Sequence, residues 1–295
     1  MPIGTPLTEQ KTVVSVLLWG REGTGKTTDA LRLVKTRPKG NVVVINAEAG
    51  AKKIALEQHG IDTSRIEVWP PEDKGPGYIT HDTIEAEVIN PMREALAADP
   101  NSYIGLVVDS FSEVARRILE DVVKTQFEKA VRLGKNRDRW AVTLEDHGIA
   151  ASQMRSLLRR VRDLNVHLVL TALERRDVDE NTSSVSYGPA LGPSVGNDTM
   201  GLVDLVGYCA VETINGTEFR TATFTPTQTR RAKDRYGLLP PSMVDPFADR
   251  IVGYIDGQIT RENDKSRARL LAAVAADEGN TQQTESAPAD ETKEN

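Results

Sequence analysis

One run of eight residues constrains this chain more than any other, because of what lies on each side of it. Residues 13–19 form a continuous apolar, β-favouring segment, and residues 28–35 carry apolar side chains at helical spacing. The run between them has the Walker A pattern, Gly20, Arg21, Glu22, Gly23, Thr24, Gly25, Lys26, Thr27. A preceding strand and a following helix are the context that this pattern requires. The sequence therefore predicts a phosphate-binding loop (P-loop).

Each residue type in the loop has a chemical purpose. Glycines let the backbone turn so that successive N–H groups point at phosphate oxygens. Lys26 is expected to reach the β- and γ-phosphates, and the Thr27 hydroxyl to ligate magnesium. We therefore expect the segment from Gly20 through Thr28 to bind ATP together with Mg²⁺.

Strands and helices alternate along the chain, which favours an α/β fold with a mostly parallel central sheet flanked by helices. Asn215-Gly216 is typical of a hairpin turn between two β-favouring runs, so antiparallel strands are expected at one edge. The segment 174–197 is rich in Gly, Pro, Ser, Asp and Asn and is predicted to be a loop.

Three polar residues follow predicted strands at the edge where open α/β sheets bind ligands. Asp109 closes an apolar run and suggests a Walker B aspartate acting on the metal, although a helix N-cap is the structural alternative. Glu48 ends the second strand and is either a group that activates water or an ordinary loop acid. Thr171 is either a γ-phosphate contact or a β-favouring residue at a strand end.

Composition divides the chain into four parts. We assign an N-terminal extension to 1–12, the nucleotide-binding domain to 13–262, a C-terminal helix to 263–275 and a disordered acidic tail to 276–295. No apolar run is long enough to span a membrane, and the first ten residues lack the layout of a signal peptide, which predicts a cytoplasmic protein.

The order of these motifs resembles the core of RecA/RadA-like ATPases, and most of all the compact single-domain forms carried by bacteriophages, a group that includes single-strand annealing proteins. The resemblance rests on residues 20–27, 46–49, 106–110, 170–172 and 231–235. It implies that Glu48 is the catalytic glutamate and that the loop after Thr171 contacts DNA. It also implies the cytoplasm of a bacterial host, if the chain is phage-encoded.

A basic cluster precedes the C-terminal part of the domain. Arg230, Arg231, Lys233 and Arg235 lie within six residues, and a Lys-x-Arg pair on an extended strand places both side chains on one face. The resemblance implies that Lys233 and Arg235 are fingers that reach the ATP of a neighbouring subunit, in a homo-oligomer with shared sites. A solvated basic strand is the alternative.

DNA contacts are predicted for Arg175, Arg176 and Tyr187, because cations and an aromatic ring suit a single-stranded path. The resulting hypothesis is an ATPase that binds single-stranded DNA and supports recombination, annealing or repair, with other replication or recombination proteins as possible partners. One alternative is a small-molecule or nucleotide kinase with residues 174–197 as its lid. Another is a nucleotide-switched loader or adaptor.

Overall fold

The computed structural model describes residues 12–178 and 183–285. Within these residues the strands are β1 Ser15–Gly20, β2 Asn41–Asn46, β3 Ile66–Trp69, β4 Tyr103–Asp109, β5 His167–Val178, β6 Val185–Pro189, β7 Leu205–Ile214, β8 Thr217–Thr223, β9 Lys233–Asp234 and β10 Ser242–Val244. The α-helices are α1 Lys26–Leu31, α2 Lys53–Gln58, α3 His81–Ile84, α4 Asn90–Ala98, α5 Phe111–Arg132, α6 Leu144–Arg162, α7 Pro193–Leu202, α8 Ala248–Ile255 and α9 Lys265–Glu285. None of the helices in these ranges is long and apolar enough to cross a bilayer.

The strands form one sheet in the order β10-β8-β7-β1-β5-β4-β2-β3, with β6 paired to β5 and β9 paired to β7. The central strand β1 runs parallel to both β5 and β7, and the strands beyond β5 are parallel as well. Strands β8 and β10 run antiparallel at the other edge. The predicted α/β fold, with antiparallel strands at one edge, is therefore confirmed.

Both faces of the sheet are covered, which explains the uninterrupted apolar runs in the sequence. Along β1, Leu17 and Trp19 pack into a core with α5 and α6, whereas Val16 and Leu18 pack into a second core with α1 and α8. Side chains of a strand alternate between its two faces, so a strand covered on both sides is apolar at most of its positions.

The predicted hairpin between β7 and β8 is confirmed. Ile214 pairs with Thr217, and the turn residues Asn215 and Gly216 have φ values of 50° and 70°. Positive φ at both positions is the type I′ geometry that follows the right-handed twist of the strands.

Two predicted boundaries differ from the structure. The described residues of the segment 174–197 lie mostly in regular structure: β5 continues to Val178, β6 pairs with it antiparallel, and α7 starts at Pro193. The polar, glycine-containing composition concealed the β-favouring Val185 and Tyr187, and tertiary pairing decided their conformation.

The C-terminal helix α9 extends to Glu285, so residues 276–285 of the predicted tail are helical in the structure. This stretch contains Ala, Glu and Gln, which are good helix formers. The remainder of the predicted tail, 286–295, and residues 1–11 of the predicted extension lie outside the described residues.

Candidate nucleotide site at the carboxyl ends of the parallel strands

The P-loop connects β1 to α1, and glycine is required at its positions for different structural reasons. Gly23 and Gly25 have φ values of 74° and 87°, in the left-handed region that favours glycine. A Cβ atom on Gly20 would overlap the carbonyl oxygen of Cys209 on the neighbouring strand β7. The loop therefore needs glycine twice for conformation and once for close approach.

The Lys26 side chain lies inside the loop. Its ammonium group donates to the carbonyl oxygens of Gly20 and Arg21, at 2.9 Å and 2.6 Å, and to the Thr24 hydroxyl at 3.3 Å. Burial lowers the pKa of Lys26 from its ordinary value, and Asp109 and Glu48 are among the neighbours that oppose this shift. The positive charge is thus held against the carbonyl oxygens of the first two residues of the loop.

Asp109 is the link between the P-loop and the strands beside it. Its carboxylate accepts a hydrogen bond from Thr27 Oγ1 on Oδ2, at 2.8 Å, and one from Thr171 Oγ1 on Oδ1, at 2.6 Å. Asp109 is only 3% exposed and Thr171 is fully buried. The structure therefore brings together residues from α1, β4 and β5 that lie far apart in the sequence.

Glu48 belongs to the same cluster. The backbone N–H groups of Ala47 and Glu48 donate to the Asp109 carbonyl oxygen, at 2.7 Å and 3.3 Å, which ties the end of β2 to the end of β4. The Ser110 hydroxyl donates to Glu48 Oε1 and also accepts from Glu113 N as the N-cap of α5. Ser110, rather than Asp109, therefore caps this helix, and the carboxylate of Asp109 points to the P-loop.

The outer part of the P-loop is open to solvent. Arg21 and Glu22 are exposed, and Thr28 is half-buried in α1. Arg21 Nε lies 3.3 Å from Glu174 Oε1, and this hydrogen bond raises the pKa of Arg21. Glu174 of β5 is thus joined to the loop by an ion pair in which only the arginine side chain is largely exposed.

Lys233 and Arg235 do not reach this site. Lys233 pairs with Val206, which is level with Leu17 in the middle of β1. Its ammonium group donates to the carbonyl oxygens at the end of α7, those of Met200, Gly201 and Val203, at 2.9, 3.1 and 2.7 Å. Arg235 pairs with Asp204 at 2.7 Å. Both side chains are therefore engaged within their own chain.

The predicted DNA contacts lie on the paired strands β5 and β6, where Arg175 and Tyr187 have contacts within the chain and Arg176 is exposed. Arg175 pairs with Asp177 at 2.8 Å and donates to the Leu191 carbonyl oxygen. Arg176 of β5 is paired with Tyr187 of β6, and the Tyr187 side chain packs against the core. Part of the Tyr187 ring is therefore covered by the core.

Two groups of residues were not identified as functional candidates from the sequence. One is a basic, tryptophan-containing connection between α5 and α6, for which the run Lys135-Asn136-Arg137-Asp138-Arg139-Trp140 was an available signal. The other is the buried Asp29 with Arg220 on β8, at 2.9 Å. Burial raises the pKa of Asp29 to about 7, and Arg220 opposes that rise. A carboxylate immediately after the P-loop threonines and before the apolar Ala30 and Leu31 was the signal for this pair.

Comparison with known proteins relates the chain to one family. The AAA domain (AAA_24) matches residues 12–236, which is most of the chain. No curated protein matches it. A solved structure with a related arrangement is the crystal structure of the RadB recombinase, at 17% sequence identity and a TM-score of 0.42, covering 71% of this chain and 79% of that one.

Proposed function

This chain belongs to the AAA domain family, and on that premise we propose that it hydrolyses ATP at the site around Lys26 and Asp109 and couples hydrolysis to single-stranded DNA. The observation that carries the ATPase part is the Asp109 carboxylate, which accepts from Thr27 and Thr171 on separate oxygens. This arrangement joins the phosphate-binding loop to the strand ends where hydrolysis must occur.

Residues of the loop would bind the nucleotide and its metal. The backbone N–H groups of the P-loop and the Lys26 ammonium group are donors for phosphate oxygens. Within the described residues no group of three or more His, Cys, Asp or Glu side chains could hold a metal by itself. Magnesium in nucleotide sites needs few protein oxygens, and the Thr27 hydroxyl and the Asp109 carboxylate fit that need. When bound, the ion neutralises charge on the phosphate oxygens.

Glu48 is the group that we assign to activate water. Its carboxylate lies at the end of β2, beside Asp109, and Ser110 holds one of its oxygens. The other oxygen can accept a proton from a water molecule next to the terminal phosphate. Thr171 positions Asp109 in this scheme, because its hydroxyl donates to the carboxylate oxygen that Thr27 does not use.

The DNA-binding part of the proposal rests on a surface segment that we call the strap, residues 129–144. It contains five cations and one anion. Lys129, Arg132, Lys135 and Arg139 are exposed, and the Trp140 side chain is 79% exposed with the Arg139 guanidinium 5.1 Å from its ring. Exposed rings next to cations bind single strands by stacking on bases and neutralising phosphates.

The strap is connected to the ATP site by α5. This helix begins beside Ser110, which contacts Glu48, and ends at Arg132 in the strap. At 1.5 Å per residue it is about 33 Å long, so one helix joins the two regions. A shift of α5 on DNA binding would therefore move the Ser110 hydroxyl that holds Glu48.

The ATPase assignment is tested by turnover of wild type, Lys26→Ala and Glu48→Gln, with and without oligo-dT. We expect DNA to stimulate wild type, both variants to lose turnover, and only Glu48→Gln to keep ATP binding. Turnover in Glu48→Gln at the wild-type rate would exclude Glu48 as the base. Phosphate transfer to a small-molecule acceptor, in place of release as phosphate, would favour the kinase alternative.

The strap is tested by the affinity for oligo-dT of Trp140→Ala, Trp140→Phe and Leu144→Ala. Loss of one stacked base costs about 1–3 kcal/mol, so Trp140→Ala should bind roughly 5- to 150-fold more weakly, and Trp140→Phe much less so. Leu144 is 91% exposed and carries no ring, which makes it the matched control. Equal losses of oligo-dT affinity in the Trp140→Ala and Leu144→Ala variants would exclude base stacking on Trp140 as the source of the affinity.

Sharing of ATP sites between subunits remains part of the proposal and has its own test. Lys233→Ala subunits mixed with Lys26→Ala subunits should recover activity if Lys233 or Arg235 acts across an interface. A failure to recover in demonstrably mixed oligomers would leave Lys233 with its contacts to α7 alone.

A further inference from the structure

An arginine on the antiparallel side of the P-loop is left without a role by the assignments above. Arg220 projects from β8, and among the described residues its ion-pair partner is Asp29, with Nη1 2.9 Å from Oδ1. Asp29 is fully buried, and neither of its oxygens accepts a hydrogen bond with regular geometry. Charge therefore holds the Arg220 guanidinium close to Asp29 without committing its N–H groups to a hydrogen bond of regular geometry, so they can donate to a second acceptor.

Arg220 also touches the P-loop itself. A Cβ atom on Gly25 would lie 2.5 Å from Arg220 Nη1 and 3.0 Å from its Cδ, so the arginine side chain lies directly against this glycine. On its other side the guanidinium is 5.1 Å from the ring of Phe247. The Arg220 side chain is still 24% exposed, so part of it faces solvent at the edge of the loop.

The direction of approach indicates which part of a nucleotide Arg220 would meet. Asp109, Thr171 and Glu48 lie on β4, β5 and the end of β2, on one side of β1. Water attack and metal binding require the terminal phosphate on that side. A nucleotide in the loop must therefore direct its α-phosphate and nucleoside towards the other side, where β7 and β8 lie and from which Arg220 approaches Gly25.

We propose that Arg220 binds the α-phosphate of the nucleotide, with Asp29 and Phe247 holding its guanidinium against the P-loop. A guanidinium offers five N–H donors in a planar fork, and phosphate oxygens are acceptors that match it. Phosphate oxygens would thus accept hydrogen bonds from Arg220 N–H groups that Asp29 does not engage with regular geometry. The inference rests on nucleotide binding at the P-loop and adds a contact outside the Walker A residues.

The test compares the affinities of wild type, Arg220→Met and Arg220→Lys for ATP, ADP and α-thio-ATP, using binding rather than turnover. Arg220→Met should weaken ATP and ADP equally, by about tenfold or more, because both carry the α-phosphate. Arg220→Lys should keep part of the affinity, because it retains the charge but not the fork.

α-Thio-ATP identifies the atom that is contacted, since sulfur accepts hydrogen bonds more weakly than oxygen. Wild type should discriminate between ATP and α-thio-ATP, and Arg220→Met should bind them equally, which is the coupling expected for a direct contact. Arg32→Met is the matched control, because Arg32 lies 3.8 Å over the same Phe247 ring but pairs with Asp249 instead of Asp29. Its nucleotide affinities should stay within about twofold of wild type.

Each other outcome overturns the proposal. Wild-type affinity in Arg220→Met excludes the contact, and an unchanged preference between ATP and α-thio-ATP excludes the α-phosphate. Altered discrimination between ATP and GTP alone would place Arg220 at the base instead. If thermal unfolding shows that Arg220→Met does not fold, the same comparisons are made with Arg220→Lys, and they decide whether Arg220 contacts the α-phosphate. Absence of nucleotide binding in wild type would refute the ATPase proposal, and this inference with it.

Discussion

Replacing Thr171 with valine removes one hydrogen bond from the buried centre of the site and almost nothing else. Thr171 is fully buried, and its hydroxyl donates to Asp109 Oδ1 at 2.6 Å. Valine has the same branched shape but offers no donor, so one oxygen of a nearly buried carboxylate loses its partner. The substitution should therefore reduce both the stability of the fold and the binding of the metal, because Asp109 contributes to both.

The size of the effect follows from the charge of the acceptor. A hydrogen bond to a charged group contributes about 1.5–3 kcal/mol, whereas a neutral one contributes about 0.5–1.5 kcal/mol. We therefore expect Thr171→Val to lose about 1.5–3 kcal/mol of unfolding free energy. If the same interaction orients Asp109 for catalysis, turnover should fall by roughly 10- to 100-fold, with a higher magnesium requirement.

The chain provides a matched control in Thr199. It is also fully buried, but its hydroxyl donates at 2.7 Å to the neutral carbonyl oxygen of Val195. Urea unfolding and magnesium titrations of ATPase activity should be measured for Thr171→Val, Thr171→Ser and Thr199→Val. Serine at 171 should restore much of the loss, and Thr199→Val should leave the magnesium dependence unchanged. A wild-type magnesium response in Thr171→Val would refute the role assigned to this hydroxyl.

Three further changes test other contacts. Lys233→Met leaves the carbonyl oxygens at the end of α7 without their donor, so its Tm should fall by about 2–4 °C for each kcal/mol lost, and an unchanged Tm would contradict the capping role. Burial acts to raise the pKa of Asp146, but hydrogen bonds from Thr143 and Arg137 lower it by more. The ionised Asp146 carboxylate therefore stabilises the fold above the ordinary pKa of an aspartate, and this stabilisation is lost as the pH falls through the lowered pKa. On acidification the free energy of unfolding should fall less for Asp146→Asn than for wild type. Gly20→Ala should destabilise more than Gly23→Ala in urea, because only the first introduces an overlap with a neighbouring strand, and equal losses would refute that contact.

Local sequence was sufficient for the P-loop and for the ends of β2 and β4, whereas β5 continues past Thr171 to Val178. Glycines at fixed spacing between an apolar strand and a helix admit one backbone arrangement, whatever the rest of the chain does. Asp109, Glu48 and Thr171 could be grouped in advance because parallel strands bring their carboxyl ends to one edge of the sheet. The order of strands was not needed for that inference.

The contacts of the charged and aromatic side chains, in contrast, depended on packing between segments that are distant in the sequence. Lys233 and Arg235 form a basic pair in the sequence, but the end of α7 and Asp204 lie beside them and bind them. Within the polar segment after Thr171, Val185–Pro189 form a strand because β5 offers them a partner. The burial of Asp29 against Arg220, and the exposure of Trp140, likewise depend on which surfaces the neighbouring helices and strands cover. Backbone geometry is set over a few residues, whereas the contacts of a charged or aromatic side chain are set by whatever the fold brings next to it.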